Sequence, residues 1–166
     1  MKKKQKPTTI TILGEARLAC VNPDGTISWK TPWYHNRVVN QGFADFLCHG
    51  LLNDASASHF GFLALGTGTL PATDGTALPG ELASSTGGVT RQTYSPTVSA
   101  STQIKLYGTF VSGSNSFFTG PLTLQNIGVY ASSTGSNIFA GMTYATQAVS
   151  SNQQVNATYQ FSFSTQ

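Results

Sequence analysis

The sequence predicts an all-β protein: an antiparallel β-sandwich or jelly roll of about eight strands, with one short helix at about 41–52. Three observations predict it. Apolar and polar residues alternate along several segments, as where Tyr159, Phe161 and Phe163 oppose Gln160, Ser162 and Ser164. The connections are rich in Gly, Ser, Asn, Asp and Pro, the residues that turns require. Only one stretch carries the apolar period of a helix.

Taken in order, residues 8–21 read as a strand with Ala16, Leu18 and Cys20 on one face. Asn22-Pro-Asp-Gly then predicts a turn, because proline presets φ and Asp-Gly accepts positive φ. Residues 26–35 return as a second strand, interrupted by Pro32, which makes its far end an edge or a bulge. Asn40 is an expected N-cap, followed by a stripe of Phe43, Phe46, Leu47 and Leu51 that should be buried. Asp45 suits the first turn of that helix, where the dipole favours an anion. Residues 60–65 form a short apolar strand, and a Gly-, Thr-, Pro- and Asp-rich loop spans 66–81. Further strands are expected near 89–100, 103–111, 122–131, 137–146 and 155–164.

The chain divides into a basic arm, 1–7, and one β-sandwich domain, 8–166. Its 166 residues are enough to bury a core without a disulfide or metal. Charged residues are only 9%, and Ser, Thr, Asn, Gln and Gly replace them. Such a surface suits a protein largely covered by neighbours or built from hydroxyl-rich strands. The net charge of +3 comes from the arm, where Lys2, Lys3, Lys4 and Lys6 supply four of nine basic residues. The remainder carries no basic face, so no specific nucleic acid is expected as a partner. The apolar residues after the lysines are broken by Thr, Glu15 and Arg17, which is unlike a secretory signal. No stretch is long enough for a membrane span, so assembly in a cytoplasm without membrane insertion is expected.

The residues offer no catalytic or ligand pattern. Gly66-Thr-Gly-Thr lacks the lysine and helix of a phosphate loop. Cys48, His49 and His59 lack zinc-ligand spacing, and Cys20 and Cys48 are expected as buried free thiols. The six carboxylates have turn, helix-start or loop roles, and no Gly-x-Ser-x-Gly elbow occurs. A non-enzymatic protein with no metal and no cofactor is expected. The candidate interface residues are Lys2, Lys3, Lys4 and Lys6 of the arm, with Trp33, Tyr34, Phe117 and Phe118, aromatics that do not fit an inward alternation.

The order of several motifs resembles a family of small structural proteins of tailed bacteriophages, of the tail or tail-fibre type. The resemblance runs through Asn36-Arg-Val-Val-Asn-Gln-Gly-Phe, Phe62-Leu-Ala-Leu-Gly-Thr-Gly-Thr, Pro71-Ala-Thr-Asp-Gly-Thr-Ala-Leu and Gly80-Glu-Leu-Ala. It continues through Lys105-Leu-Tyr-Gly-Thr-Phe, Leu124-Gln-Asn-Ile-Gly-Val-Tyr and Ile138-Phe-Ala-Gly-Met-Thr-Tyr. The chain departs from the pattern just before Gly128-Val-Tyr, where relatives often carry a Glu and this chain has Asn126 or Ile127. The resemblance implies a β-sandwich in the virion, assembled with copies of itself and with other virion proteins, with no cofactor. A place in the tail, baseplate or fibre is the first expectation. A capsid decoration protein and a carbohydrate-binding module that recognises host-surface glycans are the alternatives.

Overall fold

The computed structural model describes residues 10–48, 61–82, 91–93, 95–100, 102–111, 121–135 and 137–165. The chain forms two antiparallel sheets packed face to face. Its strands are β1 (Ile10–Val21), β2 (Ile27–Lys30), β3 (Tyr34–His35), β4 (Arg37–Val38), β5 (Phe62–Gly66) and β6 (Gln92–Thr93). They continue with β7 (Ser95–Ala100), β8 (Gln103–Val111), β9 (Leu122–Tyr130), β10 (Ile138–Val149) and β11 (Gln154–Thr165). Sheet A runs β2-β1-β11-β8-β7, with β3 also on β1; sheet B runs β4-β10-β9-β5-β6.

Eleven strands appear among the described residues where eight are expected: the runs at 26–35 and 89–100 each divide in two, and β4 forms where no strand is predicted. The run at 26–35 stops at Thr31, and β3 resumes after Pro32, which has no N–H to offer a ladder. The Thr31 hydroxyl accepts a 2.9 Å bond from the Leu18 amide and fills the gap. One residue, Asn36, then separates β3 in sheet A from β4 in sheet B. Likewise β6, in sheet B, and β7, in sheet A, are one residue apart in sequence. These corners tie the sheets together, as does the Trp29 indole, which donates a 2.7 Å bond to the Ala148 carbonyl.

The first hairpin follows its turn chemistry. Gly25 adopts φ +85°, and its amide bonds the Asn22 carbonyl at 2.9 Å. Asp24 accepts from both the amide and the hydroxyl of Thr26, at 2.9 and 2.6 Å. Those two bonds, the hydroxyl's first, hold its carboxyl below the usual range.

The helix differs from its expectation. One α-turn, Asn40–Gly42, widens at once into a π-helix, Phe43–Cys48. The cap is Val39, in extended conformation with no side-chain bond, and the Asn40 amide instead bonds the Thr73 carbonyl at 2.8 Å. Asn40 is therefore the first helical residue and not the N-cap. Of the predicted stripe, Phe43 is 45% exposed and not buried, and the side chains of Phe46 and Leu47 lie outside what is described. Residues 49–52 lie outside the described residues. Gly42 sets the docking distance, because a Cβ there would lie 2.3 Å from the Phe139 carbonyl oxygen.

The main core fills the space between the sheets. Ala16, Leu18 and Cys20 of β1 and Val155, Ala157, Tyr159 and Phe161 of β11 meet Leu124, Ile127, Phe139 and Met142 of sheet B. Phe161 lies edge-on to Phe139, with ring centroids 5.2 Å apart. Cys20 is free and buried, and burial pushes its thiol pKa up; Cys48, expected to be buried, is free and exposed. Among the described residues, no helix is long and apolar enough to cross a membrane.

A second cluster lies behind sheet B. Val39, Ala64, Leu78, Tyr130 and Ile138 are buried there, under the 67–82 loop. That loop is pinned along its length. The Thr67 amide bonds the Gly80 carbonyl, the Leu82 amide the Leu65 carbonyl, and the Ile138 amide the Thr76 carbonyl. Sheet B is thus covered on both faces along Asn126–Tyr130 of β9.

Candidate assembly interface

The titratable groups behind sheet B are consumed by structure. Arg91 donates to Glu81 twice, Nε to Oε1 at 2.6 Å and Nη2 to Oε2 at 3.0 Å. Its other bonds go to the carbonyls of Ser132 and Gly135. The guanidinium lies 3.4 Å from the centre of the Tyr130 ring, and the Tyr130 hydroxyl donates to Glu81 at 2.7 Å. The Leu78 amide in turn donates to that hydroxyl at 2.6 Å. Burial first, and then the bond to Glu81, push the Tyr130 pKa far up. Every oriented group here holds the loop ends to β9. Asn126 does the same nearby: its Nδ2 donates to the carbonyls of Thr69 and Pro79 at 2.9 and 2.8 Å. Among the described residues, no group of three or more His, Cys, Asp and Glu converges as metal ligands would.

The outer face of sheet A is different. Strict alternation sends every second residue of β1, β11 and β8 outward, and the described residues lay no second layer over them. The outward residues of β11 are Gln154, Asn156, Thr158, Gln160, Ser162 and Ser164. On either side stand large apolar groups that face water. Leu13 and Ile27 are 43% and 61% exposed on the β1 and β2 side; Tyr107 and Val111 are 43% and 46% exposed on β8. A shallow groove of about 420 Å³ runs along Tyr107, Thr109, Asn156 and Thr158. Charges on this face are sparse. Glu15 accepts a 3.0 Å bond from Gln160 Nε2 and lies 3.5 Å from His35 Nδ1.

The predicted interface residues separate. Trp33 is exposed at the border of this face, with the Arg17 guanidinium 4.7 Å from its ring centre. Tyr34 is half-buried against the main core, 6.5 Å from the Tyr144 ring, because its partner on β1 is the inward-facing Ala16. Lys2, Lys3, Lys4, Lys6, Phe117 and Phe118 lie outside the described residues, as do His49, Asp54 and His59.

Sequence reasoning missed Leu13, Ile27, Tyr107 and Val111. The signal was present for Tyr107 and Val111, since both stand on the polar side of an alternating strand. The Arg91–Glu81–Tyr130 set carries no such signal, because its members come from a loop end, a strand approach and a strand terminus.

Known proteins do not extend this reading: no protein-family profile matches the chain, and neither characterised proteins nor solved structures give a match.

Proposed function

We propose that the chain is a non-enzymatic structural subunit of a tailed-phage virion, placed in the tail, baseplate or fibre. It works through subunit contacts made by the outer face of sheet A. The observation that carries the assembly reading is that face itself. A broad, regular sheet surface sets exposed Leu13, Ile27, Tyr107 and Val111 beside a central strand of hydroxyls and amides that carries no charge, with Glu15, Arg17 and Lys105 on the strands flanking it. Aromatic and apolar side chains on a charge-poor surface are what buried interface centres are made of. The phage assignment rests on the ordered motifs from Asn36 to Tyr144. The test is the position of this chain's density in intact particles. Copies arranged around the tail axis are expected; copies spread over the icosahedral head would make it a capsid decoration protein instead.

A second reading is favoured by the groove beside Tyr107. An aromatic ring flanked by Asn156 and Thr158 offers a stacking surface and hydrogen bonds to a sugar. Host-surface glycan recognition through this groove predicts glycan-array binding by the free protein that Tyr107→Ala abolishes.

A further inference from the structure

We propose that the outer face of sheet A binds a second copy of this chain, related by a two-fold axis that runs parallel to β11 just above it. The inference deepens the assembly reading and rests on it, since it names the partner.

The strand register carries the argument. Glu15 on β1, Gln160 on β11 and Lys105 on β8 form one cross-strand row. Arg17, Thr158 and Tyr107 form the next outward row, and Val21, Gln154 and Val111 form the row at one end. An axis along β11 lays β1 of one copy over β8 of the other without changing rows. Glu15 then faces Lys105 of the second copy, and Arg17 faces its Tyr107, each contact occurring twice. Arg17 is already held on the Trp33 ring, so its guanidinium is oriented before a second ring arrives. Val21 faces Val111, which covers the most apolar end of the sheet.

The central strand must meet its own copy in such an arrangement. Residues 154–165 contain no charged side chain, so no like-charge pair lies on the axis. Their outward hydroxyls and amides both donate and accept, and can therefore pair with themselves. An axis running across the strands would also oppose Glu15 to Arg17. It would set Val21 over Thr11 and leave Ile27 and Val111 without a strand opposite, so the lengthwise axis fits better. Packed sheets cross by about 30°, so each β11 lies about 15° off the exact axis direction, which displaces the end rows most and leaves the Glu15 and Arg17 rows, near the middle, closest to register.

The area suffices. β1 and β11 are 12 residues long each, or about 40 Å at roughly 3.3 Å per residue. With strands about 4.8 Å apart and shorter flanking strands, the face spans roughly 700 Å². A standard interface buries about 800 Å² per partner.

Analytical ultracentrifugation of the full chain tests this. A concentration-dependent dimer is expected. Glu15→Lys alone and Lys105→Glu alone should each weaken it by about tenfold or more, because each sets like charges together twice. An equimolar mixture of the two variants should dimerise again, because only the mixed pair restores opposite charges. Dimers that ignore both substitutions, or variants that do not rescue each other, overturn the proposal. Independently of those variants, Thr158→Cys in a Cys48→Ser background should give a covalent dimer with a short bismaleimide; its absence counts against the axis. A chain that stays monomeric, yet fails to enter particles when Tyr107→Ser is introduced, overturns the self-partner and leaves the assembly reading standing. If that variant also enters particles normally, both readings fall.

Discussion

Strands β11 and β9 sit at the centres of their sheets, yet they meet different surroundings. Along β11, buried Val155, Ala157, Tyr159 and Phe161 alternate with half-exposed Asn156, Thr158, Gln160 and Ser162. Along β9, Asn126 to Tyr130 are all buried. The difference is the 67–82 loop, which gives sheet B a third layer that no described residue gives sheet A. Where a sheet is covered twice, its outward residues must be apolar or hydrogen-bonded, as the Tyr130 hydroxyl and the Asn126 Nδ2 are. Where it is covered once, its outward residues are free to serve a partner.

Breaking the third layer should have the largest effect. Arg91→Met leaves the Glu81 carboxylate without its cation, beside the buried Tyr130 hydroxyl. A loss of about 3–5 kcal/mol in urea unfolding is expected, as for other broken buried ion pairs. Adding Glu81→Gln should recover part of it, since the two residues are coupled.

Asn126→Ala removes the donor that holds the Thr69 and Pro79 carbonyls, at a cost of about 1–3 kcal/mol. The loss should be local. Amide exchange should accelerate at Thr67, Leu82 and Ile138, which bond to or within the loop, while β11 stays protected. Equal acceleration in both sheets would mean that the loop is not a separable layer.

Alkaline pH probes the buried interior of both sheets. Tyr130, Tyr144 and Tyr159 have pKa values raised chiefly by burial. Their contribution to stability is intact below the unfolded tyrosine value of about 10. Above it, the unfolded chain loses its protons first, so stability falls by up to about 1.4 kcal/mol per pH unit for each tyrosine. Tyr144→Phe and Tyr159→Phe should each flatten that slope between pH 10 and the raised folded values when unfolding is followed by urea titration.

The smallest effect is expected on the bare face. Tyr107→Ser and Val111→Ser should change folding stability by no more than about 0.5 kcal/mol, the range of surface substitutions. Both should nonetheless reduce incorporation into particles. A large stability loss would show that this face is part of the core.

Local patterning was enough to specify the sandwich. Alternation in β1, β8 and β11, the Asn22–Gly25 turn and the break at Pro32 depend on neighbours in sequence, so they are legible there. The tertiary structure decided what each face meets. Leu78, Tyr130 and Ile138 are brought together from separate segments, and nothing local marks them as one cluster. Phe43 was misplaced because Gly42, not Phe43, is the residue that packs on Phe139, a tertiary contact that the helical period does not show. The candidate interface shows both sides of this. Tyr107 and Val111 are outward by parity, which the sequence contains. Their alignment with Arg17 and Val21 across β11 follows from strand register, which forms only when distant segments pair.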